Sequence, residues 1–310
     1  MPIGLRWGTV GAVGERHDGM VRLEVDGRPC VAYPRLTGEV EVGDVVLVNT
    51  QAVDLGLGSG GFDVLYANLT RGLGLPTAER AHVMTLPYAP GQHAARFAEE
   101  EPDGVARLDG LPVVCTGLHS QLAPVCAALA GRRVVYVQLG GGALPVSLSD
   151  TVRALRDRGL VASTAAVAPC FDAEVHCVSA ASALGWALAD HDVAVCAIGP
   201  GIVGTATPFG HGGLAAAEAA NTALSLGGVP VIAARVSGAD ERSRHRGLSH
   251  HTEAVLALVR GEPVIGEDGH GWREACTGLP LSHMGRGPDE DPDFFEAAFA
   301  AGVAAKRLGG

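Results

Sequence analysis

Lysine is almost absent from this chain of 310 residues. Lys306 is the single lysine among 23 basic residues, and the other 22 are arginines. A Schiff-base enzyme needs a buried lysine amine, and a Walker-type phosphate loop needs a lysine directly after its glycines. Lys306 fits neither role, because it stands in a C-terminal segment far from any glycine-rich loop that precedes a helix. Both kinds of chemistry are therefore excluded.

Long apolar runs and paired cysteine motifs are missing as well. No run of about 18 apolar residues lacks a charge or a breaker, so we expect no membrane-spanning helix. Residues 1–13 do not show the basic end and apolar block of a secretory signal. The seven cysteines form no C-x-x-C pair, which disfavours zinc ribbons and thioredoxin-like chemistry. These features predict a protein of the reducing cytoplasm.

Aromatic residues and positive charge are too scarce for a typical nucleic-acid-binding protein. Aromatic side chains make up 5% of the chain, and the formal net charge is −11. Binding to nucleic acid depends on neutralising phosphates and on aromatic platforms for bases. RNA binding through the N-terminal region is therefore the least favoured function.

The N-terminal region has the alternating pattern of strands. Val21, Leu23 and Val25 alternate with polar residues, and Asp18-Gly19 is a hairpin-type turn dipeptide. Several short strands separated by such turns predict a small barrel or sandwich. We assign residues 1–75 to this β-rich domain and residues 76–110 to a connecting segment.

From residue 111 onward, short apolar strands alternate with helical segments. The predicted strands are 112–118, 133–139, 161–168, 192–198 and 229–236. Strands separated by helices of this length form βαβ units. Residues 111–310 therefore predict an α/β, Rossmann-like domain with a mainly parallel sheet flanked by helices.

The segments that follow these strands carry most of the chemically reactive residues. In open α/β sheets, ligands bind beyond the carboxyl ends of the strands. Five of the twelve histidines follow a predicted strand, namely His119, His211, His245, His250 and His251. This clustering predicts a small-molecule site at one edge of the sheet.

The segment after the fifth strand is the richest, with three arginines and three histidines within residues 242–251. Arginine matches carboxylate or phosphate, and histidine transfers protons near neutral pH. We assign Arg242 and Arg244 to anion binding. The catalytic candidates are His119, Asp240, His245, His250 and His251, with one histidine as the general acid or base. The alternative is a solvated basic loop that pairs with the acidic surface or with another subunit.

The segment after the fourth strand contains Gly199, Gly201 and Gly204 in the G-x-G-x-x-G spacing. A dinucleotide fingerprint should open a helix at once, but Pro208 and Gly210 interrupt it. We therefore favour a loop whose backbone N–H groups approach an anion, with Thr205 and His211 as further ligand-binding candidates. A wide turn required by packing is the alternative, and the cofactor stays unknown.

Three further candidates are weaker. Ser120, at a strand-to-helix turn, is either a ligand-binding residue or only a helix cap, because no G-x-S-x-G elbow surrounds it. Asn49 and Asp54, beside the loop at residues 56–61, are placed in the site from the N-terminal domain. A hairpin loop without a function is the alternative for these two residues.

A metal site is left open. His250 and His251 are adjacent, so on a helix they point about 100° apart and are not expected to face one ion together. Asp240, His245 and one of those two histidines are the residues that could converge on a metal.

Three sequence runs together resemble a bacterial family of unknown function, DUF3866. They are residues 244–252 (RHRGLSHHT), residues 199–205 (GPGIVGT) and residues 49–61 (NTQAVDLGLGSGG). The resemblance extends over nearly the whole chain and implies that the two regions work as one unit. It implies no activity.

Taken together, these patterns predict an enzyme that acts on a small anionic metabolite by hydrolysis or group transfer. The alternative is a non-catalytic, ligand-binding regulatory protein, because no complete nucleophile–base motif is present. A homodimer is expected from the frequency of symmetric dimers among soluble proteins.

Overall fold

A computed structural model describes residues 3–56, 60–76, 81–100 and 107–309. The chain divides into two compact units, Met1–Ala95 and Arg96–Gly310. The segment that we predicted as a connection, residues 76–110, is shared between them. Among the described helices, none is long and apolar enough to cross a bilayer.

The first unit contains a closed five-stranded barrel. Its strands are β1 (Leu5–His17), β2 (Met20–Val25), β3 (Arg28–Ala32), β4 (Val45–Asn49) and β5 (Asp63–Asn68), in the order β1-β2-β3-β5-β4. Strand β1 pairs with both β2 and β4, which closes the barrel and leaves no free edge. The β-rich prediction is confirmed as a barrel.

The alternating residues of the barrel strands decide which side chains fill its core. Val21, Leu23 and Val25 of β2 are all buried, whereas the intervening Glu24 is exposed. Outside the barrel strands, the unit contains α1 (Pro34–Thr37), α2 (Gln51–Asp54) and the pair β6 (Val83–Thr85) and β7 (His93–Ala95).

The second unit is built on a seven-stranded parallel sheet. Its strands are β8 (Pro112–Thr116), β9 (Val134–Leu139), β10 (Ser163–Val167), β11 (Val175–Cys177), β12 (Val193–Ile198), β13 (Val229–Ala233) and β16 (Val264–Ile265). They lie in the order β11-β10-β9-β12-β8-β13-β16, and every pairing is parallel. The predicted α/β class is confirmed.

Helices flank this sheet. They are α3 (Leu122–Ala128), α4 (Asp150–Asp157), α5 (Ala180–Leu188), α6 (Ala215–Ser225), α7 (His250–Leu258), α8 (Trp272–Ala275) and α9 (Pro292–Leu308). Two apolar clusters fill the space between sheet and helices, one containing α3 and α9 and the other containing α5 and α6. Because both faces are covered, the central strands β9 and β12 are buried along their whole length.

The main departure from the predicted elements lies after β13. The predicted strand ran to residue 236, but β13 ends at Ala233. A short antiparallel pair follows, formed by β14 (Val236–Ser237) and β15 (Gly247–Leu248). This pair closes the arginine- and histidine-rich segment into a loop, and Arg235 lies at its base rather than inside the sheet.

Helices α3 and α9 approach closely at Gly302. A Cβ atom at residue 302 would collide with the Val125 carbonyl oxygen and would lie 2.6 Å from Ala128 Cβ. Glycine in a helix interior normally costs about 1 kcal/mol relative to alanine. Here the close approach of the two backbones makes glycine the residue that fits.

We predict that Gly302→Ala destabilises the protein by about 1–3 kcal/mol, although alanine is the better helix former, because overpacking forces the helices apart. Urea unfolding would measure the change. Gly117→Ala is the matched control, since its Cβ would meet its nearest neighbour at an ordinary 3.7 Å. A more stable Gly302→Ala variant would contradict the close packing of α3 and α9.

Candidate functional site

The candidate site lies beyond three neighbouring strands of the sheet. Strands β12, β8 and β13 are adjacent and parallel, so the segments that follow them leave from the same edge. The side-chain amide of Gln121, which follows β8, donates to the carbonyl oxygens of Ala233 (2.8 Å) and Ala234 (3.1 Å) at the end of β13. This buried amide joins two of the three segments.

The start of α7 sets the positions of two histidines. Ser249 caps the helix, and its hydroxyl accepts a hydrogen bond from the backbone N–H of His251 at 3.2 Å. The same hydroxyl lies 2.7 Å from His245 Nδ1. One buried serine therefore orients the helix and the imidazole of the preceding loop together.

Four histidines form a cluster at this edge. Side-chain atoms of His245, His250 and His251 that could bind a metal all lie within 4.8 Å of one another. His211, from the segment after β12, stacks on His251 with ring centroids 3.7 Å apart. The structure thus brings His211 and the three histidines that follow β13 together.

His250 and His251 lie closer together than their adjacent positions on a helix led us to expect, and whether they face one ion together stays a prediction. Their ring centroids are 4.5 Å apart, and both rings lie beside His245. His250 is the first residue of α7, so no preceding helical turn restricts its side-chain rotamer. The ring can therefore turn toward its neighbour in a way that a mid-helix position would not permit.

Burial keeps the imidazoles of this cluster in the neutral form. It lowers the pKa of His245 to about 3 and that of His251 to about 2. The pKa values of His211 and His250 are lowered by burial too, and positive neighbours add to the effect. At neutral pH the cluster therefore offers lone pairs rather than positive charge.

Three guanidinium groups contact the carboxylate of Asp240, beside the histidines. Arg242 binds its carboxylate through two nitrogens, at 2.9 and 2.8 Å. Arg235 lies 3.2 Å and Arg286 3.4 Å from the same carboxylate. Hydrogen bonds from Arg242 hold the pKa of the Asp240 carboxyl well below its usual range. Asp240 is therefore a poor proton acceptor. Its contacts indicate a structural role, in which the carboxylate holds the three arginines in place.

A second carboxylate extends this network. Asp291 is fully buried, accepts a hydrogen bond from Ser237 at 2.7 Å and pairs with Arg286 at 3.1 Å. Among the described residues these ion pairs join three guanidiniums to two carboxylates, so the network itself carries one excess positive charge. Arg244, predicted to bind an anion, is exposed and makes no hydrogen bond or ion pair within the described part of the chain.

The glycines after β12 are explained largely by loop packing. A Cβ atom at Gly199 would collide with the Ala143 carbonyl, so glycine is required there whether or not a ligand binds. Gly201 has a positive φ of 72°, which favours glycine. Gly204 pairs with His211 across the loop, and this pairing directs His211 toward the cluster. Thr205 is exposed and bonds within its own loop.

His119 and Ser120 differ in their environments. His119 is engaged at both ring nitrogens, by the Ile198 carbonyl at 3.0 Å and by the Ser149 hydroxyl at 2.7 Å. This favours a structural role, and its catalytic role stays a prediction. The hydroxyl of Ser120 lies 3.3 Å from Nδ1 of His283, which stacks on Phe294.

Asn49 and Asp54 make local contacts in the first unit. Asn49 accepts a hydrogen bond from the Gln51 backbone at 3.1 Å, and the Thr50 hydroxyl donates to Asp54 at 2.5 Å. The glycine-rich run beside them includes residues 57–59, which lie outside the described residues. A role for these two side chains in the site stays a prediction.

Sequence reasoning missed four residues of the site: Arg235, His283, Arg286 and Asp291. Arg235 was hidden because the predicted strand extended to residue 236. The other three follow the last βαβ unit, and no strand or motif near them signals a site. An arginine directly after a run of buried apolar residues was the one signal that could have revealed Arg235.

The fold and the site define a barrel-containing α/β protein with a histidine and arginine centre beyond the parallel strands. The chain belongs to the family described as "Protein of unknown function (DUF3866)", whose model matches residues 29–266. No curated protein matches the chain. The matched range includes the four clustered histidines and Asp240, whereas Arg286 and Asp291 lie beyond it.

We predict that Asp240→Asn lowers the free energy of unfolding at pH 7 by about 3–5 kcal/mol, because it leaves buried guanidiniums without their counter-charge. The carboxylate has a depressed pKa in the folded state. Its contribution is therefore present above the unfolded pKa of about 4 and is lost as pH falls through the folded value. The difference between wild type and variant should shrink in strong acid. Asp289→Asn, at an exposed pair with Arg273, is the control and should change stability by under about 1 kcal/mol.

Because the clustered histidines are neutral in the folded state, we predict that the protein also loses stability in mild acid. An unfolded histidine takes up a proton below about pH 6.5, but His245 does not until about pH 3. Stability is thus lost as pH falls from 6.5, by about 2 kcal/mol at pH 5 for this one residue. With a chelator present, His245→Gln should reduce the loss between pH 7 and pH 5 by about that amount, measured by urea unfolding. The control is His270→Gln, at an exposed histidine, which should lose as much stability as wild type. If the free energy of unfolding of His245→Gln fell with pH as steeply as that of wild type, the prediction of a neutral His245 would be contradicted.

Proposed function

We propose that this protein is an enzyme that acts on a small anionic metabolite, by hydrolysis or group transfer. The site is the edge of the parallel sheet beyond β12, β8 and β13. The observation that carries the proposal is the excess positive charge of the described network of three guanidiniums and two carboxylates, which lies beside neutral imidazoles. Such a combination attracts an anion and places groups with reactive lone pairs next to it.

The arginines of the site differ in their exposure to solvent. Arg235 is 4% exposed and is tied to Asp240, so it contributes fixed positive charge. Burial lowers the pKa of Arg235 to about 10, which still leaves the guanidinium charged at neutral pH. Arg244 is exposed and directly precedes His245 of the cluster. We assign Arg244 to direct contact with the anionic group of the substrate.

A non-catalytic, ligand-binding regulatory protein is the second candidate. One observation favours it: the low pKa values of Asp240, His245 and His251 make these groups weak general bases. The anion would then bind without further chemistry. The cytoplasmic location and the homodimer stay predictions from the sequence in either case.

Thermal melts with phosphate, sugar phosphates, nucleotides and dicarboxylates test the anion site. A ligand at one hundred times its dissociation constant adds about 2.7 kcal/mol, which raises the midpoint on the order of 5 °C. We expect Arg244→Gln to weaken binding about 10- to 100-fold, because a charge-assisted hydrogen bond is lost. Arg260→Gln, at an exposed arginine on the segment after α7, should leave the shift unchanged.

Analysis of the bound compound separates the two candidates. Conversion of the stabilising anion during incubation with catalytic amounts of protein supports the enzyme. Recovery of the anion intact after many hours supports the regulatory protein. Equal shifts for Arg244→Gln and Arg260→Gln, or no shift with any anion, would remove the proposed site.

A further inference from the structure

We propose that His245, His250 and His251 bind one divalent transition-metal ion of the Zn²⁺ type and leave a fourth coordination position open. Their candidate ligand atoms lie within 4.8 Å of one another, on the loop after β14 and on the first turn of α7. The role of the ion in turnover rests on the proposed function, whereas the binding of the ion does not.

The geometry requires only a small closure of the three rings. Zn–N bonds of about 2.0–2.1 Å at tetrahedral angles place two nitrogens about 3.3 Å apart. A separation of 4.8 Å therefore has to shorten by about 1.5 Å at most. His250 is half-buried and is the first residue of α7, so rotation of its side chain can supply its share of this movement, and the rings of His245 and His251 supply the rest.

The hydrogen-bond partners of the rings leave nitrogens for the ion. Nε2 of His250 is buried and has no hydrogen-bond partner among the described residues. Nδ1 of His245 lies 2.7 Å from the Ser249 hydroxyl. Histidines that bind metals are commonly held in this way through the other ring nitrogen, which fixes both the tautomer and the ring orientation. His245 is thereby positioned to bind through Nε2.

His211 is a positioning residue and not a fourth ligand. Its ring stacks on His251 at 3.7 Å with an interplanar angle of 15°. Imidazole lone pairs lie in the ring plane, so two parallel stacked rings cannot both direct a lone pair at one ion. Three protein ligands with a fourth position for water or substrate are typical of catalytic zinc, whereas structural zinc sites have four protein ligands.

Metal binding at His251 has a consequence for Arg235. A guanidinium can only donate, and Arg235 Nη1 lies 3.2 Å from His251 Nδ1. If Nδ1 binds the ion its lone pair is used, and if Nε2 binds the ion Nδ1 carries the proton. In both cases the contact with Arg235 is lost. The ion therefore frees one N–H of Arg235 beside His251, where it becomes available to an anionic ligand.

The ligand set selects the class of metal. Three neutral imidazole nitrogens suit Zn²⁺, Co²⁺, Ni²⁺ or Cu²⁺, whereas Mg²⁺ and Ca²⁺ require oxygen ligands. Metal binding also requires deprotonated histidines. His245 and His251 are both buried, and burial favours the neutral form of an imidazole. The carboxylate of Asp240 offsets the nearby charge of Arg235.

Titration of the metal-free protein with Zn²⁺ against a chromophoric chelator tests the site. We expect one ion per chain and no competition from Mg²⁺. His245→Gln, His250→Gln and His251→Gln should each weaken binding more than about 100-fold, because a direct ligand contributes more than an outer partner does. His270→Gln, at an exposed histidine outside the cluster, is the matched control and should bind as wild type does.

Co²⁺ absorption separates ligands from the positioning residue. Wild-type protein should show the intense visible bands of a low-coordinate ion, and each ligand variant should lose or shift them. His211→Ala should weaken binding about 10-fold with the band shape retained. Less than one ion per chain in wild type, or equal affinity in the ligand variants and His270→Gln, would overturn the proposal.

The anion melts, run with a chelator, are an independent measurement. Stoichiometric Zn²⁺ binding without any anion response would sustain the metal site and count against the proposed function. An anion response without Zn²⁺ binding would sustain the proposed function and overturn the metal site.

Discussion

The site depends on the interaction of one buried carboxylate, that of Asp240, with three guanidiniums. A charged arginine that is buried without a partner strongly destabilises a protein. Arg235, just after β13, is only 4% exposed, and Asp240 provides the negative charge that makes this burial possible. The same carboxylate holds Arg242 by two hydrogen bonds and thereby shapes the loop that carries His245. Without it, Arg235 would be buried without its counter-charge and Arg242 would lose both hydrogen bonds to the loop carboxylate.

The order of the strands explains how residues distant in sequence meet at this edge. Strand β8 lies between β12 and β13, so the segments after β12 and β13 approach each other across the segment after β8. His211 and His251 are 40 positions apart in the chain and stack at 3.7 Å. Glycine permits part of this convergence, because a Cβ at Gly213, after β12, would lie 2.7 Å from the Gly117 carbonyl oxygen, in the segment after β8.

Charge and burial at this site bear on both proposals, that of the anion site and that of the metal site. Burial keeps the imidazoles neutral, so they do not repel a cation, while the excess guanidinium charge lies on the side of Asp240 and Asp291. A bound divalent ion would add positive charge and free Arg235 from His251. The two proposals therefore strengthen each other electrostatically, although each is tested by its own measurement.

The sequence by itself predicted a β-rich N-terminal region, left open between barrel and sandwich, and an α/β domain with a mainly parallel sheet, and it pointed to one edge of that sheet as the candidate site. These follow from local periodicity, since alternation of two residues or of strands and helices is visible in any short window. It also named Asp240, Arg242 and the four clustered histidines as candidates. Only the tertiary structure decided their relations: that His250 and His251 face one another, that His119 is engaged at both nitrogens, and that Arg235, Arg286 and Asp291 join the network. Contacts between residues far apart in the chain depend on strand order and loop packing, and no local pattern records either of them.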